Sequence, residues 1–141
     1  MNYLLDTNVV SEWAKQRPDP GVVAWLTETD EDRIFISVIT LTELRHGIER
    51  LPAGARRDWL DSWLSNDLPS RFEARILPID EETANYWGKT MARRPAAGRP
   101  VGTMDAFVAT IAERQDLTLV TRNVYDFEAL NLQLINTWEN G

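Results

Sequence analysis

Short apolar runs alternate with helix-patterned stretches along this whole chain, and that order leaves few architectures open. Residues 2–6 read as a buried strand and 8–15 as a short helix, and Pro20-Gly21 opens a second helix through Trp25 and Leu26. Residues 33–37 form the next strand, with Ser37 placed to cap a helix over 38–51 whose Leu41, Leu44, Ile48 and Leu51 keep helical spacing. Pro52-Ala53-Gly54 breaks that helix. Another then carries Trp59, Leu60, Trp63 and Leu64 on one broad apolar face, and a strand candidate covers 74–79. Asp80, Glu81 and Glu82 give the next helix an acidic first turn, which suits its dipole, and it runs to about Arg94. A loop is expected over 95–100, Thr103 can cap a helix over 104–115, and 117–121 and 132–135 are the last strands. Asp126 can cap a short helix beginning near Phe127. The alternation predicts an α/β fold, a central parallel sheet of four to five strands flanked by helices. With no internal repeat or low-complexity tract, 1–141 is expected to be one domain.

Composition removes several chemistries. Cysteine is absent, which excludes disulfides, thiolate nucleophiles and zinc–sulfur sites and fits a reducing cytoplasm, the expected location. His46 is the single histidine, so no site can be built on two imidazoles. Oxygen ligands remain, and they suit hard cations such as Mg²⁺ or Mn²⁺. Apolar runs are too short for a membrane span, and the N-terminus does not read as a signal peptide. The net charge of −7 runs against nucleic-acid binding. Yet Arg45, Arg50, Arg56 and Arg57 fall close together, as do Lys89, Arg93, Arg94 and Arg99, and cations held by carboxylates would reverse the local sign.

Ligands of an open α/β sheet bind just beyond the carboxyl ends of its strands. The first strand ends there in Asp6-Thr7-Asn8, and the fourth in Thr121-Arg122-Asn123. Glu43 and Asp105 sit on the helices between. Each has an ordinary alternative. Asp6 is a good helix cap. Glu43 lies about 100–120° off its helix's apolar stripe, where a glutamate is usually solvated. Asp105 suits a helix dipole, although that does not account for the small residues Ala109 and Ala112 beside it. If the acids converge, carboxylates about 4 Å apart repel by roughly 4 kcal/mol per pair at an effective dielectric near 20. Such a cluster must be neutralised by protons or by a cation, and a divalent metal is the economical choice.

Four blocks of sequence carry a resemblance. Leu4-Leu-Asp6-Thr7-Asn8-Val-Val-Ser-Glu12, Ser37-Val-Ile-Thr-Leu-Thr-Glu43-Leu-Arg-His-Gly47, Asp105-Ala-Phe-Val-Ala109 and Val120-Thr121-Arg-Asn123-Val-Tyr-Asp126-Phe127 occur in that order. Together they resemble the PIN-domain nucleases, in particular the VapC toxins of type II toxin–antitoxin systems in the branch that includes FitB. The resemblance implies a PIN fold with helices on both sides of its sheet. It implies that Asp6, Glu43 and Asp105 hold Mg²⁺ or Mn²⁺, with Asp126 as a further ligand. Asn123 stands where many members carry a fourth acid, so a second metal would be held more weakly. Thr7, Asn8 and Thr121 would position water or phosphate oxygens. The implied reaction is hydrolysis of RNA by water, leaving 5′-phosphate and 3′-hydroxyl ends. Arg45, Arg93, Arg94 and Arg99 are candidate RNA contacts.

The same resemblance implies a homodimer held inactive by a small VapB- or FitA-like antitoxin, as a heterotetramer or larger assembly, with no membrane partner. Trp59, Leu60, Trp63 and Leu64 fit an antitoxin groove, a dimer interface or plain core equally well. A receiver domain is excluded because it needs a lysine after a late strand, and the only lysines are Lys15 and Lys89. A nucleotide-binding module lacks its glycine-rich loop. A non-catalytic interaction protein on the same fold and a nuclease acting on DNA remain as alternatives.

Overall fold

A computed structural model describes residues 1–93, 101–130 and 132–138. Among these, five strands make one sheet: β1 (Tyr3–Leu5), β2 (Ile34–Ser37), β3 (Ile76–Leu77), β4 (Thr118–Val120) and β5 (Leu134–Ile135). Their spatial order is β3-β2-β1-β4-β5, and every pairing is parallel. The chain therefore builds outward from β1 through β2 to β3, then returns to the other side of β1 with β4. That reversal creates the crevice in which an α/β sheet binds its ligands. In register, Leu4 faces Phe35 and Leu119, and Leu5 faces Val120.

Side chains alternate across a strand, and the core divides accordingly. Leu5, Ile34, Ile36 and Val120 point into one cluster with Val9, Val10, Val22, Trp63, Leu68 and Phe72. Leu4 and Leu119 point into a second with Ile39, Val108, Ile111, Ala112 and Phe127. Helices therefore cover both faces. On the first lie α1 (Thr7–Glu12), α2 (Pro20–Glu28), α4 (Ala55–Ser62) and α5 (Leu68–Arg71); on the second lie α7 (Thr103–Arg114) and α8 (Val124–Phe127). The helix α3 (Val38–Glu49) supplies Ile48 to the first cluster and Ile39 to the second, and α6 (Glu81–Arg93) packs on α7. Among the described residues no helix is long and apolar enough to cross a membrane.

Several expected boundaries shift for local reasons. The third strand shortens from 74–79 to two residues, because Ala74 adopts a left-handed backbone (φ 63°) and Pro78 has no N–H to give a ladder. The helix over the tryptophans is interrupted by a π-helical turn at Trp63–Asp67. Pro69 follows directly, and its ring and missing N–H disfavour a regular i→i−4 turn there. The tryptophan face divides: Trp63 and Leu64 are buried, Leu60 is partly buried, and Trp59 is 50% exposed beneath the Arg56 guanidinium. Thr103 is the first residue of α7 and not its cap, a position held by Gly102. Asp126 lies inside α8, whose cap position is Asn123, so it does not cap that helix. The loop expected over 95–100 lies outside the described residues.

The end of α7 leads directly into β4. Asp116 takes a left-handed backbone (φ 55°), its N–H bonds to Glu113 O at 3.3 Å, and Leu117 N–H bonds to Ala112 O at 2.8 Å. These two bonds form a Schellman termination, which turns the chain straight into the start of β4. The opposite end of α7, with Asp105, is thereby held at the carboxyl edge of the sheet.

Candidate active site

Asp6 leaves β1 with its N–H still bonded to Val120 O at 2.9 Å, then turns its side chain back over the strand ends. Oδ1 accepts from Thr7 N–H at 2.9 Å, which is the capping bond of α1. Oδ2 accepts from Thr121 Oγ1 at 2.8 Å and from Asn8 Nδ2 at 3.4 Å. Capping and site-building are thus one geometry and not rivals. The carboxylate is 5% exposed. Burial pushes its pKa from 3.8 up to about 6 against the lowering effect of Thr121 and Thr7, with Asp105 and Glu43 adding to the rise.

Asn8 and Thr121 join the ends of β1 and β4. Asn8 donates from Nδ2 to Thr121 Oγ1 at 3.3 Å and accepts at Oδ1 from Arg122 N–H at 3.2 Å. Thr121 is completely buried, and its hydroxyl also accepts from Asn123 N–H at 3.0 Å. A hydroxyl has one donor and two acceptor positions, so Thr121 is fully engaged in holding Asp6. The Asn123 residue is exposed beside this turn.

Glu43 arrives from α3. Ser37 Oγ caps that helix by accepting from Thr40 N–H at 3.4 Å. Glu43 is half-buried, and its Oε1 accepts from Thr7 Oγ1 at 2.5 Å. Asp105, in the first turn of α7, is half-buried too. Its pKa is raised first by burial and then by the charges of Glu43 and Asp126. Asp6, Glu43 and Asp105 therefore share one electrostatic field, which Asp126 enters through Asp105. Among the described residues no three acidic or histidine side chains already stand in a ligating cluster.

Of the candidate arginines, Arg45 is already engaged by other side chains. Arg45 Nη1 meets Asp61 of α4 at 2.6 Å and Glu49 of its own helix at 3.4 Å, and Nη2 meets Ser65 in the π-helical turn at 3.0 Å. Arg93 is exposed in the last turn of α6. Arg94 and Arg99 lie outside the described residues.

One neighbour of the site, Thr40, has no role in the sequence reading. Thr40 is completely buried with Oγ1 3.1 Å from Thr7 Oγ1. It stands one turn before Glu43, and a polar residue on that face was the available signal. Arg122, known above only as the middle of a turn, lays its guanidinium 5.5 Å from the Trp138 ring.

Comparison with known proteins agrees with this geometry. The family model described as PIN domain matches residues 3–130. The plasmid stability protein StbB of Pseudomonas syringae is 39% identical over 96% of this chain and 98% of its own length. The VapC ribonuclease Y4jK of Sinorhizobium fredii is 35% identical over 96% of this chain and 97% of its own. The toxin FitB of Neisseria gonorrhoeae is 33% identical over 97% of this chain and 99% of its own. The crystal structure of FitAcB from that organism superposes with a TM-score of 0.88, covering 97% of this chain and 99% of that one. With its parallel sheet, its interacting acids at the strand ends and these matches along nearly its whole length, the chain belongs to the PIN-domain family.

Proposed function

We propose that this protein is the toxin of a type II toxin–antitoxin pair, a divalent-metal-dependent endoribonuclease whose single PIN domain spans 1–141. One observation carries the reading: Asp6 from β1 and Asp105 from α7 each lie within the field of Glu43 from α3, and the charges acting on them all raise their proton affinity at the carboxyl edge of the sheet. Full-length similarity to a VapC ribonuclease and to the toxin FitB supports RNA as substrate and toxin as role.

The donor set of the site fits a hard cation, Mg²⁺ or Mn²⁺. Its donors are carboxylate, hydroxyl and amide oxygens, while His46 is exposed on α3 and cysteine is absent. Burial and neighbouring negative charge disfavour the ionised forms of Asp6 and Asp105, and a cation beside them relieves both effects. Asp6, Glu43 and Asp105 are the residues to hold it, with Asp126 assisting and Asn123 contributing an uncharged oxygen. The chemistry a divalent ion supplies in such a site is polarisation of the phosphoryl oxygens and acidification of water.

The chain's own residues do the rest. Thr121, Asn8 and the Thr7 N–H fix the direction of the Asp6 carboxylate, and the Thr7 hydroxyl fixes Glu43. Glu43 and Asp105 orient the water, and a carboxylate within hydrogen-bond reach can accept its proton. Water attacks phosphorus, the bond to the 3′-oxygen breaks, and a 5′-phosphate and a 3′-hydroxyl remain. Arg93, Arg94 and Arg99 are proposed RNA contacts, and Arg45 one only after release from Asp61.

The proposed partner is a small antitoxin of the VapB or FitA kind, binding a toxin homodimer in a heterotetramer or larger complex in the cytoplasm. Mapping RNA ends and antitoxin binding on one pair of proteins tests the proposal. The wild type is expected to leave 5′-phosphates, and Asp6→Asn to lose cleavage while keeping the antitoxin. Cyclic 2′,3′-phosphates would refute the mechanism. An Asp6→Asn variant with undiminished cleavage would refute the site.

A further inference from the structure

Thr40 lies on α3 one turn before Glu43, with no exposed surface. A buried hydroxyl is costly unless it is hydrogen-bonded, and its recorded side-chain partner is Thr7, Oγ1 to Oγ1 at 3.1 Å. Either oxygen could donate if the pair stood alone. It does not stand alone, because Thr7 Oγ1 donates to Glu43 Oε1 at 2.5 Å. A hydroxyl carries one hydrogen, so the hydrogen between the two threonines belongs to Thr40. The chain of bonds has one direction: Thr40 to Thr7 to Glu43.

We propose that Thr40 is a positioning residue for the nuclease reaction, acting on Glu43 through Thr7; the inference rests on the nuclease reading above. Thr40 is too deep to touch RNA or a cation. Its hydrogen bond holds the Thr7 hydroxyl in the rotamer that points at Glu43, and donors in series strengthen one another. Thr7 and Glu43 are each half-buried and would otherwise have other rotamers and water open to them. The proposal separates Thr40 from an ordinary core residue, for which a valine of the same shape would serve equally well.

The test is a cycle of Thr40→Val, Thr40→Ser, Thr7→Val and the Thr7→Val/Thr40→Val pair, made in the full chain freed of antitoxin. Three quantities are read: kcat and KM for RNA cleavage, Mn²⁺ affinity by titration calorimetry, and melting temperature. Loss of one hydrogen bond on this scale predicts a kcat roughly tenfold lower for Thr40→Val. KM should stay within about twofold and Mn²⁺ binding should weaken by a factor of several, on the same energetic grounds. Thr40→Ser should restore both. In the Thr7→Val background, Thr40→Val should add nothing. A well-folded Thr40→Val with wild-type kcat and Mn²⁺ affinity would overturn the proposal, as would an equal loss with Thr7 already removed. A wild type that binds Mn²⁺ and cuts no RNA would overturn the nuclease reading instead, and the Mn²⁺ cycle would then decide the role of Thr40.

Discussion

Thr121 Oγ1, at the end of β4, donates to Asp6 Oδ2, at the end of β1, across 2.8 Å and 115 positions of sequence. The bond couples the two strands that meet at the reversal of the sheet. Thr121→Val removes it, takes the acceptor of the Asn123 N–H, and leaves the Asn8 Nδ2 only its longer bond to Asp6. The variant should lose about 1–3 kcal/mol of stability and at least roughly tenfold in cleavage. Thr121→Ser should keep most of both. Denaturant melts and initial rates on one RNA check the pair.

Asp6 makes the stability of the protein depend on pH. Its carboxyl titrates at about 6 in the fold against 3.8 as an ordinary aspartate. A group whose folded value is raised contributes stability below the unfolded value and loses it as pH climbs through the folded one. The loss therefore falls between about pH 4 and pH 6, and two pK units set its ceiling at about 3 kcal/mol. Asp6→Asn removes the titration. In EDTA, the variant's melting temperature minus the wild type's should rise by several degrees from about pH 4 to pH 7.5. A difference that stays flat across that window contradicts the assignment.

Cations should act in the opposite sense at neutral pH. Mn²⁺ at a hundredfold excess over its Kd should stabilise the wild type by about 2.7 kcal/mol. Asp6→Asn and Asp105→Asn should gain much less. Differential scanning calorimetry with Mn²⁺ and with EDTA measures both, and equal gains in all three proteins would place the ion elsewhere.

At the far edge of the sheet, Asp116 holds the left-handed position that ends α7. Glycine takes that conformation without the Cβ penalty, partly offset by its greater freedom when unfolded. Asp116→Gly should raise stability by about 0.5 kcal/mol and leave cleavage unchanged. A thermal melt beside an activity measurement checks that this edge is separate from the chemistry.

Asp6 and Thr121 are legible in the sequence because each is the first polar residue after an apolar run, and parallel strands align those ends. Ser37 is legible as a cap because the helical spacing begins directly after it. The fine structure of the site is not, since it depends on contacts between distant elements. Thr40 and Thr7 are 33 positions apart, and only the packing of α1 on α3 brings their hydroxyls together. Thr103 and Asp126 have the chemistry of caps, but each helix begins earlier than composition indicated and takes the residue inside it. The apolar spacing of Trp59, Leu60, Trp63 and Leu64 likewise cannot foresee a π-helical turn, which rotates part of that face away from the rest.

The central claim is that the acids at the strand ends cut RNA with a divalent cation. The most direct measurement is cleavage of end-labelled cellular RNA by the purified, antitoxin-free protein in Mg²⁺, in Mn²⁺ and in EDTA, beside Asp6→Asn and Asp105→Asn. The account predicts cutting in the metals, none in EDTA, and none in either variant although both remain folded. Cutting that survives EDTA, or that survives loss of Asp6 and of Asp105, would contradict it.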